Sequence, residues 1–299
     1  MALPGALLGA ALLLLPALAA ASEPPSGAVL ADVPFTGAER NRVIVDLAPE
    51  GSSRPFPLFL DTGASDSVLT PRMARDLGVR VRRIKRTPYR KPTLLGRDLQ
   101  FWVDTRSSDT GSKTGWEYGL LGGRFLAEYV VEIDFPGRRV RFLDRKKYRV
   151  PERADAPDEA VLPLRVVSNR PIVEIELEGR PVRVLLDTGA PGTLILSGKA
   201  AKEIDFSWEP LARIEGGSVL GPVDLELAEA RDLRLGPFGF GTPVSILIAP
   251  RGFYNQGTST DSVVGYDLLS QFVVRIDYPR KRLWLRRDAE VPLTLSGAE

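Results

Sequence analysis

Two Asp-Thr-Gly tripeptides are the residues best suited to chemistry in this chain of 299 residues. They stand at Asp61-Thr62-Gly63 and at Asp187-Thr188-Gly189. The chain contains no His and no Cys, which excludes Ser-His or Cys-His catalysis, thiolate nucleophiles, disulfides and imidazole or thiolate zinc sites. Acid–base chemistry near neutral pH therefore falls to carboxylates, Lys or Tyr with shifted pKa values.

One Asp-Thr-Gly alone fits an ordinary turn, but these two copies share the same context. Each follows apolar residues and precedes a second apolar segment, so each Asp is expected between two buried strands, where a carboxylate is costly without a partner. If Asp61 and Asp187 meet, two carboxylates about 3 Å apart share one proton across a broad pH range. One is then a base and the other an acid, and together they can activate a water for amide hydrolysis. Each Thr hydroxyl can bond the backbone of the other loop, and each Gly lets the loops approach closely.

The elements that must position these residues occur twice, because the chain repeats itself once. Leu120-Leu121-Gly122 through Phe142 aligns without a gap to Val263-Val264-Gly265 through Leu285. Each half has a strand, a turn, a strand ending in Asp-Thr-Gly, a variable segment, an apolar pair before Gly, a short helix and a hairpin. This order predicts an all-β chain of two duplicated lobes, at residues 23–150 and 160–299, joined within 145–162. The two Asp residues are expected to meet at the two-fold axis that relates the lobes.

Apolar and β-branched runs bounded by Pro, Gly or charge predict the strands. They lie at 43–47, 58–60, 67–70, 100–104, 130–134 and 140–143 in the first lobe, and at 172–177, 182–186, 194–196, 225–228, 244–248, 273–277 and 283–285 in the second. Short helices are predicted at 71–77, 123–129, 198–204 and 266–272, the first after the N-cap Thr70 and Pro71.

At the two Asp-Thr-Gly segments and the two apolar-apolar-Gly segments, the chain resembles the retropepsin-like (retroviral-type) aspartic peptidases, with two lobes fused in a single chain. The resemblance implies a bilobal aspartic-peptidase fold with ψ-type loops, short helices and an active-site cleft between the lobes. It implies Asp61 and Asp187 as the catalytic dyad, supported by Thr62, Gly63, Thr188 and Gly189. It implies no cofactor and no metal.

The resemblance also implies substrate-binding residues beside the dyad. Ser65 follows the first Asp-Thr-Gly-Ala, and Gly216-Gly217 form a Gly-rich turn within 214–219, where the family places a hairpin flap. The same run fits an ordinary hairpin tip equally well, and both interpretations stay open. In the first lobe a flap is expected near 88–92, in a segment unlike its counterpart.

These residues favour an aspartic endopeptidase, a hydrolase that cleaves a polypeptide substrate with water activated by the dyad. Pro191 stands where the family has a hydroxyl residue, and its presence is expected to make the two carboxylates unequal. The alternative is a catalytically weak or inactive peptide-binding module of the cell envelope, while a structural envelope protein leaves two facing, buried Asp unexplained. The net charge of +2 predicts no nucleic-acid partner, and the repeat predicts a monomer with two pseudo-symmetric lobes.

The N-terminal segment has the pattern of a targeting sequence. Residues 1–22 carry no charged side chain and contain an apolar run that ends in Ala17-Leu18-Ala19 and Ala19-Ala20-Ala21. This pattern predicts a signal peptide over 1–21 and an exported protein, periplasmic or secreted. An uncleaved membrane anchor is the alternative, although the run is short for a span and contains Pro16.

Overall fold

The computed structural model describes residues 23–52, 54–79, 89–103, 119–218, 221–241, 243–250 and 262–287. The first lobe contains nine strands within these ranges: β1 (Val29–Thr36), β2 (Ile44–Leu47), β3 (Phe56–Leu60), β4 (Ser67–Leu69), β5 (Tyr89–Leu94), β6 (Arg97–Val103), β7 (Gly119–Leu121), β8 (Val130–Asp134) and β9 (Arg139–Leu143). Its helices are α1 (Pro71–Asp76) and α2 (Gly123–Leu126). The all-β fold predicted for this lobe is confirmed.

The second lobe follows the same order with additional strands. Its described strands are β10 (Glu159–Pro163), β11 (Arg165–Val167), β12 (Arg170–Leu177), β13 (Arg180–Leu186), β14 (Leu194–Ser197), β15 (Ala212–Ser218), β16 (Gly221–Ala230), β17 (Leu233–Leu235), β18 (Phe238–Gly239), β19 (Val244–Ala249), β20 (Val263–Val264), β21 (Val273–Asp277) and β22 (Arg282–Arg286). Its helices are α3 (Gly198–Glu203) and α4 (Tyr266–Leu269). The strands and helices predicted from the sequence are present in both lobes, with limits shifted by a few residues.

Each lobe builds a ψ-shaped crossing around its apolar-apolar-Gly segment. In the first lobe, β7 pairs in parallel with β3 on one side and antiparallel with β4 on the other. In the second lobe, β20 pairs in the same way with β13 and β14. Each Asp-Thr-Gly connects the two outer strands of its crossing, so the crossing fixes where the loop emerges. The ψ-type loops expected from the family resemblance are confirmed.

Six strands of a twelve-stranded sheet join the lobes in the order β1-β9-β8-β21-β22-β10, and these six are called the inter-lobe sheet. Its centre is the antiparallel pairing of β8 with β21, which aligns Val130 with Asp277 and Asp134 with Val273. β8 and β9 correspond to β21 and β22 through the internal repeat, and β1 and β10 take equivalent places at the two ends of this order, so the six strands have a pseudo-two-fold axis at their middle. The bilobal architecture is therefore confirmed, while the exact lobe limits of 23–150 and 160–299 stay predictions.

Alternation along the strands explains how the lobes form a core. In β3, Phe56, Leu58 and Leu60 are buried and the two residues between them are half-buried. The N-caps begin the short helices, since the hydroxyl of Thr70 accepts a hydrogen bond from the Met73 amide at 3.2 Å and Ser197 does the same for Ala200 at 3.0 Å. No helix in the described ranges has the length and apolar character needed to cross a membrane.

Candidate active site

Asp61 and Asp187 occupy equivalent places at the ends of β3 and β13. The amide of Asp61 donates to the carbonyl of Leu121 at 3.0 Å, and the amide of Asp187 donates to the carbonyl of Val264 at 3.0 Å. Each Asp is thereby tied to the last residue of the central ψ strand in its own lobe. The duplicated motif thus places two carboxyl groups on equivalent, anchored loops.

The two threonines lock the loops to one another across the lobe boundary. The hydroxyl of Thr62 donates to the carbonyl of Leu186 at 2.7 Å, and the hydroxyl of Thr188 donates to the carbonyl of Leu60 at 2.6 Å. Each hydroxyl also accepts the amide of the opposite threonine, at 3.1 and 3.2 Å. Both threonines are almost fully buried, so these four hydrogen bonds are shielded from water. The sequence predicted this exchange, and the structure contains it.

The two glycines of the motifs let the carboxyl groups approach each other. An ideal Cβ on Gly63 would lie 2.2 Å from Cγ of Asp187, and a Cβ on Gly189 would lie 2.9 Å from Cγ of Asp61. Side-chain atoms do not approach this closely, so any larger residue would displace the opposite carboxyl. The side chains of Asp61 and Asp187 are joined by a hydrogen bond.

The environment distinguishes the two carboxyl groups. Asp187 is 2% exposed, whereas Asp61 keeps partial exposure. Burial nevertheless raises the pKa of Asp61 well above its usual value, and the negative charge and hydrogen bond of Asp187 raise it further. The amide of Ala64, which donates to Oδ1 of Asp61 at 2.9 Å, and that of Gly63 offset part of this rise. On Asp187, Oδ1 accepts the amide of Gly189 at 2.7 Å.

Pro191 lies on the surface of the second loop and leaves its closure intact. The carbonyls of Ala190 and Gly192 accept the amides of Tyr266 and Asp267 at the start of α4. A Cβ on Gly265 would lie 2.6–2.7 Å from the carbonyl oxygens of 190–192, so this glycine permits the contact. A proline retains its backbone carbonyl. Pro191, which stands where the family has a hydroxyl residue, therefore leaves the backbone carbonyls of this loop in place.

Ser65, predicted to bind substrate, points to its neighbour in this structure. Its hydroxyl lies 3.4 Å from Oδ2 of Asp66, and Asp66 forms an ion pair with Arg124 of α2. The Ser65 carbonyl accepts the Arg124 amide at 2.9 Å. Ser65 therefore helps to join the first Asp loop to α2, and its contact with substrate stays a prediction.

The hairpin of β15 and β16 lies beside the Asp187 loop. Gly216 and Gly217 belong to β15, where they pair with Val223 and Pro222. The expectation of a glycine turn at these two residues is therefore wrong, because the hairpin continues past them and its tip, 219–220, lies outside the described residues. A Cβ on Gly216 would lie 2.8 Å from Leu225, which explains the need for a small residue within this strand.

An apolar cluster connects that hairpin to the dyad loop. Leu225 of β16 belongs to the same buried cluster as Leu185, which lies two residues before Asp187, and Ala190, which lies three residues after it. Val263 of the central ψ strand completes the contact. The hairpin therefore shares a buried cluster with residues on both sides of Asp187.

The first lobe lacks an equivalent hairpin within its described residues. Of the expected flap segment 88–92, residue 88 lies outside the described ranges and 89–92 belong to β5. By its place in the sheet, the β5–β6 pair corresponds to β16 and β19, and its turn falls at Leu95-Gly96. In the described ranges the strand that would correspond to β15 is missing from this lobe.

Tyr278 is a residue near the site that the sequence reasoning missed. Its ring is 3% exposed, and its hydroxyl has no hydrogen-bond partner among the described residues. Burial raises the pKa of Tyr278, and the negative charge of Asp61 adds to that rise. The internal repeat could have identified this residue, because Tyr278 aligns with Phe135. The second lobe thus has a hydroxyl group where the first has none.

Comparison with known proteins supports the resemblance seen in the motifs. The family model described as aspartyl protease matches residues 173–268, which contain Asp187, the β15–β16 hairpin and most of α4. The chain resembles the retropepsin-like aspartic proteases. The match supports a peptidase-type function, and no curated protein matches the chain.

Three solved structures are similar to part or most of this chain. A retropepsin-like aspartic protease from Rickettsia conorii is similar over 43% of this chain and 90% of its own, with 16% identity and a TM-score of 0.33. EIAV protease, solved with the inhibitor HBY-793, is similar over 33% and 85%, with 22% identity and a TM-score of 0.26. Basic 7S globulin from soybean is similar over 87% and 94%, with 12% identity and a TM-score of 0.46.

The described residues contain no group of three or more His, Cys, Asp or Glu that could hold a metal ion. Asp61 and Asp187 are the carboxyl groups that the fold brings together at this site.

Proposed function

We propose that this chain is an aspartic endopeptidase that hydrolyses peptide bonds with a water activated by Asp61 and Asp187. The observation that carries the proposal is the meeting of the two motifs. Their threonines exchange hydrogen bonds across the lobe boundary, and their carboxyl groups are hydrogen-bonded to each other. Paired carboxyl groups of this kind supply an acid and a base in one place.

We assign the shared proton to Asp61 at the start of the reaction, because burial and the negative charge of Asp187 raise the pKa of Asp61. Asp61 begins protonated and Asp187 begins as the carboxylate. A water between them gives one proton to Asp187 while its oxygen attacks the peptide carbonyl carbon. Asp61 gives its own proton to the carbonyl oxygen, so a neutral tetrahedral diol forms.

The second half of the reaction restores the dyad. Asp187 donates its proton to the amide nitrogen as the carbon–nitrogen bond breaks, and Asp61 takes a proton from one diol hydroxyl. The products are a carboxylic acid and an amine, and the pair again holds one proton. One water is consumed and no further reactant is required.

The proposed substrate is an extended polypeptide. Leu225 of the β15–β16 hairpin shares a buried cluster with Ala190 of the Asp187 loop, and the hairpin is proposed to act as a flap that covers a bound chain. Gly216, Gly217 and Ser65 are proposed to contact that chain. The protein is proposed to work as a monomer with two pseudo-symmetric lobes, exported to the periplasm or secreted after removal of residues 1–21.

Incubation with unfolded proteins across about pH 3–8 tests the proposal. We expect cleavage by the full chain, inhibition by a transition-state mimic of aspartic peptidases, and loss of cleavage in Asp61→Asn. Asp46→Asn is the matched control, because Asp46 is exposed on β2 and carries no assigned role. A protein that binds these substrates but leaves them intact at every pH would favour the peptide-binding module instead.

A further inference from the structure

The centre of the inter-lobe sheet holds an ion pair between symmetry-equivalent positions. Glu132 of β8 and Arg275 of β21 align with each other in the internal repeat. They also face each other directly across the pairing of β8 with β21, which places the pseudo-two-fold axis between them. The Nε of Arg275 donates to Oε2 of Glu132. An axis that relates identical lobes would put identical residues here, whereas this chain has opposite charges.

Both charges are removed from water. Glu132 is 0% exposed and Arg275 is 2% exposed. Removing Glu132 would leave Arg275 buried without the carboxylate that it pairs with, which is far more costly than losing a surface pair, whereas Glu132 has Arg141 as a second partner. Changing either residue should therefore destabilise the junction between the lobes.

The neighbours of the Glu132–Arg275 pair are charged on the first-lobe side and aromatic on the second-lobe side. One cross-strand row runs through all six strands of the sheet, as Val161, Trp284, Arg275, Glu132, Arg141 and Asp32. On the first-lobe side the row is ionic: Arg141 donates to Oε1 of Glu132 at 2.7 Å and to Asp32 at 3.2 Å. On the second-lobe side it is aromatic, and the Arg275 guanidinium lies 4.0 Å from the ring centre of Trp284.

The chain segment that connects the lobes packs against this row. Tyr148 lies on Arg275, whose Nη1 donates to the Tyr148 hydroxyl at 3.0 Å. Val150 is fully buried and packs in one cluster with Trp284. The arrangement is therefore complete only when both lobes and the segment between them are in place.

We infer that the first lobe selects the second lobe of its own chain, and rejects a second copy of itself, through the opposed charges of Glu132 and Arg275. Two first lobes paired in the same register would bring Glu132 against Glu132, and two second lobes would bring Arg275 against Arg275. Like charges opposed across strands are destabilising, and here neither could reach water. The N-terminal lobe is synthesised first, so this selection acts while its correct partner is still missing.

Refolding of full-length charge-reversed chains tests the inference. In Glu132→Arg the axis holds two Arg, and in Arg275→Glu it holds two Glu. Each variant alone should therefore unfold at a lower denaturant concentration than the unchanged chain. Refolded together, the two variants can exchange lobes, and both junctions then hold opposite charges. We expect native mass spectrometry to find a one-to-one dimer of the two variants that neither forms alone. Absence of that dimer, with both variants as stable as the unchanged chain, would overturn the inference.

A milder variant covers the case in which the reversals do not fold. In the double variant Glu132→Gln with Arg275→Gln, like lobes no longer repel, so refolding at high protein concentration should yield more dimeric chains. We expect the dimeric share to rise about tenfold over the unchanged chain, the ratio that about 1.4 kcal/mol produces. The control is Lys199→Gln with Glu203→Gln, an exposed ion pair on α3 that lies outside the inter-lobe sheet. An unchanged dimeric share in the Gln double variant, or an equal rise in the control, would contradict the inference. Neither refolding measurement depends on cleavage, so this inference and the proposed function can fail separately.

Discussion

Gly63 lies directly against the carboxyl group of Asp187, although 124 positions separate them in the chain. A Cβ at Gly63 would come within 2.2 Å of the Asp187 Cγ. Gly63→Ala should therefore push the two carboxyl groups apart, with a loss of stability of about 1–3 kcal/mol and a loss of cleavage. Gly239→Ala is the matched control, because a Cβ there meets nothing within 4 Å. Normal cleavage by Gly63→Ala would show that the carboxyl groups do not need this approach.

Gly189→Ala should be less damaging than Gly63→Ala. The corresponding Cβ would lie 2.9 Å from the Asp61 Cγ, so a smaller displacement relieves the contact. Comparison of denaturant midpoints for the two alanine variants checks the order. Equal destabilisation by both substitutions would contradict the geometry described for the loops.

The hydroxyl groups of Thr62 and Thr188 should matter more than their methyl groups. Thr62→Ala removes a donor to Leu186 and an acceptor for the Thr188 amide, at a cost of about 1–3 kcal/mol for the buried groups left unpaired. Thr62→Ser keeps the hydroxyl and should retain most of the stability and cleavage. A double-mutant cycle of Thr62→Ala with Thr188→Ala should show non-additive losses. Additive losses would indicate that the two hydroxyls act independently.

Stability should fall as pH rises, through the titration of Asp61. Its pKa is raised in the folded protein, so the folded state holds a proton that the unfolded state releases near pH 3.9. The favourable contribution of that proton is complete below the unfolded pKa and is lost as pH rises through the folded pKa. Denaturation at pH 4, 6 and 8 should show a shallower decline for Asp61→Asn than for the unchanged chain. A parallel decline in both proteins would contradict the assignment.

Tyr278→Phe should keep or raise stability. The Tyr278 hydroxyl is buried without a partner among the described residues, and the first lobe has Phe135 at the aligned position. Removing an unsatisfied buried hydroxyl is expected to change the free energy of unfolding by about 1 kcal/mol in the stabilising direction. A loss of that size on chemical denaturation would instead indicate that the hydroxyl has an important contact.

The parts of the fold that the sequence predicted are those in which local pattern and packing agree. Leu58 and Leu60 alternate with half-buried residues and end in Asp-Thr-Gly, so both the strand and its loop could be inferred. The internal repeat made the meeting of Asp61 with Asp187 a consequence of symmetry. The ψ crossings were expected from the resemblance to the retropepsin-like family.

The edge strands of the inter-lobe sheet were harder to infer. β1 contains Asp32 and Pro34, and seven of its eight residues are exposed or only partly buried, so it lacks a strong apolar signal. β10 ends at Pro163 and lies in the charged segment interpreted as a join. Both strands depend on pairing with β9 and β22, which are distant in sequence. The pairing of Glu132 with Arg275 was hidden for the same reason, since neither residue reveals its partner until the lobes meet.

The rate of peptide cleavage by Asp187→Asn tests the central claim most directly. The claim requires an ionised Asp187 to take the proton of the attacking water, and an amide cannot do so. With one unfolded protein substrate, we predict that Asp187→Asn reduces kcat/KM by about 10²–10⁴-fold or more, while Asp46→Asn stays at the level of the unchanged chain and all three proteins unfold at similar denaturant concentrations. Cleavage by a folded Asp187→Asn at the unchanged rate would contradict the account.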